Sequence, residues 1–241
     1  MLDESQKIVL ITGSAVRIGK YVTEMLANDG WKIALHYHNS EKEAYQLAKT
    51  LLTSVDVMLF KADLTKSDQA IALITEVNRQ LGPVNLLINN ASIYKNDNLE
   101  NLNIDILEQN LNIHLKAPLY LAKAMAEQGI DGNIINIIDT DITVNVKKFF
   151  SYHLSKKALF NLTQMLAVSL APDIRVNSIA PGAMLFKEGQ NKELFNQLIE
   201  DSPLRIQPSL KDLYQTIQFL INTKSITGQC IFLDSGRHLK H

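Results

Sequence analysis

The chain has 241 residues, of which 46% are hydrophobic and 20% are charged, proportions that are ordinary for a soluble globular protein. Its formal net charge of −1 gives no electrostatic reason to expect nucleic acid or an anionic membrane as a partner. The chain has no apolar run of 18 residues that could span a membrane, and its start lacks the pattern of a signal peptide. Cys230 is the single cysteine and cannot form an internal disulfide, so we expect a cytoplasmic protein.

Short apolar runs alternate with helical patterns along the whole chain. The predicted strands are residues 8–12, 32–37, 55–60, 85–89, 133–138, 174–179 and 230–233. The predicted helices are residues 19–29, 40–52, 67–81, 103–128, a segment that begins at Tyr152, and 210–220. Ser40 and Glu43 predict a capping box on the second helix. Pro118 lies inside the longest helical pattern and predicts a kink or an interruption there.

This alternation predicts an α/β fold, a Rossmann-like doubly wound parallel sheet of about seven strands with helices on both faces. Residues 1–241 contain no linker or short repeat and are predicted to form a single domain. Residues 184–208 are predicted to be an insertion outside the sheet, with one or two short helices, that forms part of a lid over the substrate pocket. The two halves of such a sheet place a ligand crevice between the first and fourth strands.

A turn with two glycines joins the first strand to the first helix, where free N–H groups and the helix dipole favour a phosphate. Gly13 permits a tight turn, and Gly19 permits close packing of the helix. The turn departs from the usual G-x-G-x-x-G fingerprint, because Arg17 replaces a glycine often found in mid-loop. Two interpretations of Arg17 stay open: a solvated side chain, or an arginine that contacts a pyrophosphate or an anionic substrate.

Residues 38–40, directly after the second predicted strand, include no acid. A sheet that binds NAD usually carries Asp or Glu here for the ribose 2′-hydroxyl. His38, Asn39 and Ser40 instead offer imidazole, amide and hydroxyl groups, which can surround a 2′-phosphate without repelling it. The sequence therefore predicts NADPH as the cofactor. No thiol or carboxylate cluster accompanies His36 and His38, so we predict no metal site.

Polar and small residues also follow the third and fourth predicted strands. Asp63 is placed to accept a hydrogen bond from an adenine amino group, or alternatively to cap the turn that follows it. Asn90, Ala91 and Ser92 have small or amide side chains that let the backbone approach a cofactor. Tyr94, in the adjoining loop, either packs against the protein or stacks on a ligand.

The candidate chemical centre is the sequence Tyr152-x-x-x-Lys156 at the start of a predicted helix. Residues four apart lie on one helical face, so the phenol and the ammonium point the same way. A fixed cation lowers the pKa of a phenol, ordinarily about 10, which predicts that Tyr152 is a proton donor beside a hydride-transfer site. The same spacing recurs at Tyr45 and Lys49, which we expect to be a solvated helix face. Only Tyr152 follows an apolar strand, which ends at Asp139, and reactive groups in open α/β sheets gather at such strand ends.

Together these motifs resemble the short-chain dehydrogenase/reductase family over essentially the whole chain. The matching motifs are Thr12-Gly13, Asp63, Asn89-Asn90-Ala91, Tyr152-x-x-x-Lys156, Asn177-Ser178-Ile179-Ala180-Pro181-Gly182 and Leu233-Asp234-Ser235-Gly236. Within the family, Arg17, the His-Tyr-His sequence at 36–38, and Asp139 ahead of Tyr152 are similar to pteridine reductases. The tail, residues 233–239, is similar to the bacterial dihydromonapterin reductase branch.

The resemblance implies a homotetrameric, NADPH-dependent reductase of dihydropterins, with dihydromonapterin or dihydrofolate as the expected kind of substrate. It implies that Asp139, Tyr152 and Lys156 are catalytic. The cofactor site that it implies comprises Gly13, Arg17, Ile18, Gly19, His38, Asn39, Ser40, Asp63, Leu64, Asn90, Ala91, Ser92, Lys156, Pro181 and Gly182. The substrate site that it implies comprises Arg17, Ser92, Tyr94, Asp139 and Tyr152.

Two positions depart from the pattern of most family members. Asp139 takes the place of a catalytic serine, and a desolvated carboxyl there should have a raised pKa and could share a proton with Tyr152. His114 stands where many members carry an asparagine that anchors a water in a proton relay. Two interpretations of His114 stay open: it conducts protons itself, or it packs against the bent helix.

Two other functions stay open at this point. The first is a reductase of an ordinary carbonyl, such as an oxoacyl thioester or a sugar; Asp139 and Arg17 argue against it, since a neutral serine suits a carbonyl oxyanion better than a carboxylate does. The second is a non-catalytic regulator that binds NADPH. The intact Tyr152–Lys156 pair argues against the regulator, because a sensor needs no proton donor.

Overall fold

The computed structural model describes residues 7–186 and 191–240. Within these residues the chain forms a parallel sheet of seven strands in the order β3-β2-β1-β4-β5-β6-β7. The strands are Ile8–Ile11 (β1), Lys32–Tyr37 (β2), Val57–Lys61 (β3), Leu86–Asn89 (β4), Gly132–Ile137 (β5), Ile174–Pro181 (β6) and Cys230–Leu233 (β7). This is the order of a Rossmann-like doubly wound sheet, so the predicted fold is confirmed.

Helices pack on both faces of the sheet. The α-helices of the described residues are Arg17–Asn28 (α1), Glu41–Leu51 (α2), Ser67–Gln80 (α3), Ile104–Leu111 (α4), Ala117–Ala126 (α5), Phe150–Ser169 (α6), Lys192–Glu200 (α7) and Leu210–Asn222 (α8). Buried side chains of α1, α2 and α8 belong to one hydrophobic cluster, and those of α3, α5 and α6 to another. Leu10 lies in one cluster while its neighbours Val9 and Ile11 lie in the other, because successive side chains of a strand point to opposite faces.

The order of the strands fixes the place of the ligand crevice. From β1 the chain builds outward through β2 and β3 on one side, and from β4 it builds outward to β7 on the other. The order in which strands are added to the sheet therefore reverses between β1 and β4, and in such sheets ligands bind at the carboxyl ends of the strands beside this point. The predicted position of the crevice agrees with this topology.

The long helical pattern of residues 103–128 is interrupted, as Pro118 predicted. It divides into α4, a π-helical turn at Asn112–Lys116, and α5. Pro118 has no N–H to donate to the carbonyl of His114, four residues earlier, so a regular α-helix cannot run through this segment. The turn places the His114 side chain in the interior, where it is 1% exposed.

Two further expectations are settled by the described residues. The predicted capping box is wrong: Ser40 precedes α2, but its ψ of 54° lies outside the extended region and its side chain makes no capping hydrogen bond. In the predicted insertion the described residues form one helix, α7, with no buried side chain, whereas residues 187–190 lie outside them. Residues 1–6, on which the signal-peptide expectation rests, and residue 241 also lie outside the described residues. No described helix has both the length and the apolar character needed to cross a membrane.

Candidate active site

Two glycines shape the turn between β1 and α1. Gly13 has a φ of +64°, and a Cβ added to it would lie 3.1 Å from the Cα of Ala91. A Cβ added to Gly19 would lie 2.1 Å from the carbonyl oxygen of Gly13. A side chain at either position would force the backbone apart, so the predicted conformational roles of both glycines are confirmed.

The first turn of α1 is open to an anion. It contains no acidic side chain, and the residue before the helix makes no side-chain capping hydrogen bond. Free N–H groups and the helix dipole favour a phosphate at such a terminus. Arg17 begins the helix with an exposed side chain and a φ of +53°, which is uncommon for a residue other than glycine. Its Nη2 lies 3.4 Å from the carbonyl oxygen of Leu185, which ties the turn to the start of the insertion.

Asn90 joins the end of β4 to the glycine turn. Its side-chain amide donates to the carbonyl oxygens of Thr12 at 3.0 Å and of Gly13 at 3.1 Å. The hydroxyl of Thr12 in turn accepts the backbone N–H groups of Asn90 and Ala91 at 2.9 and 3.0 Å. These bonds fix the floor of the crevice between β1 and β4, so Asn90 shapes the site through its side-chain amide and its N–H, and Ala91 through its backbone.

His36 also supports the glycine turn, a role that the sequence did not predict. Its Nδ1 accepts the N–H of Gly13 at 3.0 Å, and its Nε2 therefore carries the proton and donates to the carbonyl oxygen of Ala62 at 3.1 Å. Burial lowers the pKa of His36 to about 4, so the imidazole is neutral at physiological pH. Both ring nitrogens are engaged by the protein itself.

Asp63 follows β3 and stabilises the turn after it. Its Oδ1 accepts hydrogen bonds from the N–H of Thr65 at 3.0 Å and from the Thr65 hydroxyl at 2.7 Å. Burial raises the pKa of Asp63, but the bonds from Thr65 and the nearby side chains of His38 and Lys66 lower it, and the net shift is downward. The turn-capping interpretation is therefore present in the structure. The second carboxylate oxygen lies 3.9 Å from Nε2 of His38 at the cleft wall.

A cleft of about 920 Å³ opens along this edge of the sheet. Twelve of the residues predicted to bind cofactor line it: Gly13, Arg17, Ile18, Gly19, His38, Asn39, Ser40, Asp63, Leu64, Asn90, Ala91 and Ser92. Lys156, Pro181 and Gly182 do not. The N–H of Gly182 donates to Leu233 at 3.0 Å, and a Cβ on Gly182 would lie 3.0 Å from the Cα of Asp234, so this glycine lets the C-terminal segment pack closely.

The three residues predicted to be catalytic lie together at the end of β5. The hydroxyl of Tyr152, in the first turn of α6, donates to Oδ2 of Asp139 at 2.7 Å. The other oxygen of Asp139 accepts the N–H of Asp141 at 2.8 Å. Lys156 is 3% exposed, and its Nζ donates to the carbonyl oxygen of Ile137 at 2.7 Å. The structure thus joins a phenol, a carboxyl and a buried ammonium at one strand end.

The electrostatics of this group differ from one expectation. Burial raises the pKa of Tyr152 well above its usual value, and Asp139 raises it further. Although Nζ of Lys156 lies 5.8 Å from the centre of the tyrosine ring, the prediction that Lys156 lowers this pKa is wrong here, because burial and the carboxylate both disfavour a phenolate. The pKa of Asp139 is raised by burial and by Asp141, as predicted. Both shifts favour the protonated forms: the phenol keeps its proton, and the carboxyl gains a proton more readily than a free carboxylate does.

Tyr94 belongs to an aromatic cluster beside Tyr152. Its ring stacks on Phe149 with the centroids 4.1 Å apart, and it meets Tyr152 nearly at right angles at 4.7 Å. One face of the Tyr94 ring therefore packs against the protein, in agreement with the packing interpretation. The residue nevertheless remains 52% exposed and open to a ligand. Buried Asp97 accepts the N–H of Ser151 at 3.1 Å and so fixes the start of α6 against the loop of Tyr94. The sequence predicted no role for Phe149 or Asp97.

His114 connects the cleft to the catalytic helix. The hydroxyl of Ser155 donates to the carbonyl of Tyr152 at 2.7 Å, so Nδ1 of His114, 2.8 Å away, donates to that hydroxyl. Nε2 of His114 then accepts from the hydroxyl of Ser92 at 2.9 Å. Burial lowers the pKa of His114 well below its usual value, with Lys156 acting in the same direction, so the imidazole is neutral. The structure agrees with the packing interpretation of His114, because the ring is buried and both of its nitrogens have hydrogen-bond partners within the protein.

Comparison with known proteins agrees with this geometry. A sequence profile of the short chain dehydrogenases matches residues 7–195. Dihydromonapterin reductases of Shigella boydii serotype 4 and Escherichia coli are 29% identical over 244 residues, which cover 96% of this chain and 97% of theirs. The alternative dihydrofolate reductase 1, FolM, of Brucella canis, crystallised with NADP, is 36% identical with a TM-score of 0.91, covering 98% of this chain and 96% of its own. A blue fluorescent protein from a metagenomic library, crystallised with NADPH, is 28% identical with a TM-score of 0.89, covering 96% and 97%.

The chain belongs to the short-chain dehydrogenase family and is therefore an oxidoreductase by class. The resemblance predicted from the sequence is confirmed, both for the family and for its pteridine-reducing branch. The site also contains cleft residues that sequence reasoning missed: Val16, Thr65, Lys66, Ile93, Lys95, Asp105, Glu108, Gln109, Asn112 and Ile113. The sequence could have indicated these residues only through their positions, because they flank the predicted site residues in the turns and in the interrupted helix.

Proposed function

We propose that this chain is an NADPH-dependent reductase of dihydropterins, with dihydromonapterin or dihydrofolate as the kind of substrate. The observation that carries the proposal is the hydrogen bond between Tyr152 and Asp139 at the end of β5, within an aromatic cluster. The names of the relatives support the same substrate class, since they are dihydromonapterin reductases and an alternative dihydrofolate reductase. Their identities of 29–36% support the class of substrate and leave the particular pterin to experiment.

The residues of the cleft fit NADPH. The close approach of Gly13, Gly19 and Ala91 and the open first turn of α1 suit a pyrophosphate. The polar wall at His38 and Ser40 suits a 2′-phosphate, and the solved neighbours carry NADP or NADPH. When bound, NADPH supplies the hydride. In this proposal Lys156 serves the ribose beside the nicotinamide, and Pro181 and Gly182, which do not line the cleft, approach the same end of the bound cofactor.

Tyr152 and Asp139 manage the proton in this proposal. The buried phenol keeps its proton because its pKa is raised, and the carboxyl that accepts its hydrogen bond is the group from which it can be reprotonated. A serine at position 139 would lack this second store of a proton. The Ser92–His114–Ser155 contacts hold the cleft wall against the start of α6 and keep Tyr152 in place.

The aromatic cluster provides the surface for a flat substrate. Stacking between aromatic rings adds about 0.5–1.5 kcal/mol beyond simple burial. Because Phe149 already covers one face of Tyr94, the substrate ring lies against the remaining exposed part of Tyr94, on the side of Tyr152. Arg17 and Ser92 at the cleft wall serve the polar edge of the pterin or the adjoining phosphate. An aliphatic oxoacyl chain gains little from these groups.

The proposal is tested by following the consumption of NADPH with dihydromonapterin, dihydrobiopterin, dihydrofolate and a 3-oxoacyl thioester. We expect kcat/KM to be highest for a dihydropterin, and to be much lower when NADH replaces NADPH. Reduction of the thioester alone would overturn the proposal in favour of a carbonyl reductase. NADPH binding with turnover of none of the four would support a non-catalytic regulator.

We retain four further predictions as part of this proposal. One domain made of residues 1–241, a cytoplasmic location and a homotetramer are all expected from the sequence and the family. We also keep the prediction that the protein needs no metal. Sedimentation of the purified protein, with and without a chelator, measures its oligomeric state and any metal dependence together.

A further inference from the structure

The C-terminal segment makes an ionic contact beside the Asp139–Tyr152 pair. Nη1 of Arg237 lies 2.8 Å from Oδ1 of Asp141, and the two side chains are only 16% and 21% exposed. The N–H of Asp141 is the donor to Oδ1 of Asp139, whose other oxygen accepts from Tyr152. A continuous chain of contacts therefore runs from Arg237 through Asp141 to the hydroxyl of Tyr152.

The segment that carries Arg237 is held firmly. Asp234, 3% exposed, accepts the N–H groups of Gly236 at 3.0 Å and of His238 at 2.8 Å. It also accepts a hydrogen bond from the hydroxyl of Thr140, the residue that follows Asp139. The ring of His238 stacks on Phe232 at 3.9 Å. Arg237 thus projects from a fixed turn, and the segment meets the loop after β5 at two points, Thr140 and Asp141.

Several charged or titratable groups face Asp139. From α6 come Tyr152, His153 and Lys156; from the loop after β4 comes Tyr94; from its own loop comes Asp141; and beyond Asp141 lies Arg237. One side-chain oxygen or nitrogen atom from each of Asp139, Asp141 and His153 lies within 4.8 Å of the other two. Two carboxylates at this spacing repel, and an unpaired charge in a partly buried place is costly. Arg237 is the cation that offsets Asp141.

We propose that Arg237 is a positioning residue of the active site, which holds the N–H of Asp141 on Asp139 and offsets the carboxylate charge of Asp141. The proposal rests on the proposed function, because it takes Asp139 and Tyr152 as the source of the proton. Without Arg237, the uncompensated charge of Asp141 disfavours ionisation of Asp139, and the N–H donor that favours ionisation is less firmly held. The pair then keeps its proton to a higher pH.

The test is the pH dependence of kcat in four variants. Arg237→Met should lower kcat several-fold and move the alkaline limb of the profile to higher pH. Asp141→Asn removes the negative charge but keeps the N–H, so it should move the limb to lower pH. The double variant should bring the limb back near that of the wild type, and Arg237→Lys, which keeps the charge, should stay near the wild type throughout. Arg79→Met, which breaks the exposed ion pair with Glu76, is the matched control and should leave the limb in place.

If Arg237 has only a structural role, different results are expected. If Arg237 only stabilised the fold, Arg237→Met and Asp141→Asn would both lower kcat while the limb stayed in place or moved in the same direction, and either result overturns the proposal. Repeating both variants in a His153→Asn background removes the titration of that imidazole. Opposite shifts that persist there support the proposal, and shifts that vanish overturn it.

The failure of the proposal is distinguishable from failure of the proposed function. The alkaline limb of the pH profile of kcat reports groups of the protein and not of the substrate. It can therefore be measured with whichever substrate the wild type reduces, pterin or carbonyl. A wild type that reduces no substrate is followed instead by 13C NMR titration of the Asp139 carboxyl, assigned by the loss of its signal in Asp139→Asn. Opposite displacements of that titration in the two single variants support the proposal, and their absence overturns it.

Discussion

The sequence Tyr-x-x-x-Lys occurs twice in this chain, and the two copies have opposite surroundings. Tyr45 is 58% exposed on α2, and Lys49 is exposed beside it. Tyr152 is 7% exposed and donates to Asp139, while Lys156 is 3% exposed. The spacing alone therefore carries no chemistry. Burial at the end of a strand changes the proton affinities of the same two side chains.

The local structure explains the difference. Tyr152 is the third residue of α6, directly beyond the loop in which β5 delivers Asp139. Tyr45 is the fifth residue of α2, and its side chain points away from the buried positions Ala44, Leu47 and Ala48. A helix that starts beside a functional strand end places its first turn in the site, whereas a residue on the outer face of a helix meets solvent.

The largest expected difference between the copies is catalytic. Tyr152→Phe removes the hydroxyl that donates to Asp139 and should lower kcat by about 10²–10⁴, the usual loss for a positioned acid, while the Kd for NADPH changes little. Tyr45→Phe should leave kcat unchanged. Steady-state rates and cofactor titrations of both variants make the comparison. Normal turnover by Tyr152→Phe would move the proton source to another group.

The two lysines should differ in how stability depends on pH. Burial lowers the pKa of Lys156 from 10.5 to about 8, so its stabilising contribution is complete above pH 10.5 and is lost as the pH falls through 8. Between pH 7 and 10.5 the wild type should gain about 3 kcal/mol of unfolding free energy from this group. The difference between the wild type and Lys156→Met should show this dependence.

Lys49→Met is the matched control for that comparison, because Lys49 is exposed. Urea unfolding followed through the fluorescence of Trp31, the single tryptophan, measures all three proteins. The difference between the wild type and Lys49→Met should be flat over the same pH range. A flat difference for Lys156→Met as well would mean that the buried ammonium is not destabilised.

A smaller effect is expected at the cofactor end of the site. In Gly19→Ala the new methyl would lie 2.1 Å from the carbonyl oxygen of Gly13, so the turn must move. Overpacking of this kind costs about 1–3 kcal/mol, and if that cost falls on the conformation that binds the cofactor, the Kd for NADPH should rise by about 5- to 150-fold. Lys20→Ala, at the exposed neighbouring position, should bind NADPH normally. Equal affinities in the two variants would show that the turn does not hold the cofactor.

The smallest expected effect concerns Tyr94. Tyr94→Ala removes a ring that stacks on Phe149 and meets Tyr152, and should raise KM for a dihydropterin several-fold with little change in Tm, because Tyr94 lies on a loop. Tyr45→Ala removes a similarly exposed tyrosine that lies far from the site and should leave KM unchanged. An unchanged KM in Tyr94→Ala would place the substrate elsewhere.

Much of the fold could be predicted from the sequence because its signals are local. The apolar runs of β2 and β7 mark those strands at their observed bounds, and Pro118 marks the interruption of the long helix. The glycine turn is also a local feature, because the backbone of the turn itself requires glycine at positions 13 and 19. These features depend on residues that are neighbours along the chain.

The rest of the site depends on contacts between distant segments, for which one sequence contains no signal. Arg237 meets Asp141 from 96 residues further along the chain, and His36 holds a turn 23 residues earlier. The raised pKa of Tyr152 could not be predicted either, because the sequence shows Lys156 nearby but does not show how completely the phenol is buried. Burial by distant segments raises the pKa of Tyr152, and this effect prevails over the lowering expected from the nearby Lys156.

The most direct test of the central claim compares the wild type with Asp139→Ser, the residue that most family members carry at this position. The quantity measured is kcat/KM for dihydromonapterin, and for dihydrofolate, at saturating NADPH. The serine variant should bind NADPH normally but lose at least about 10² in kcat/KM, because Tyr152 has lost the carboxyl from which it is reprotonated. A serine variant that reduces dihydropterins as fast as the wild type would contradict the claim that the Asp139–Tyr152 pair supplies the proton.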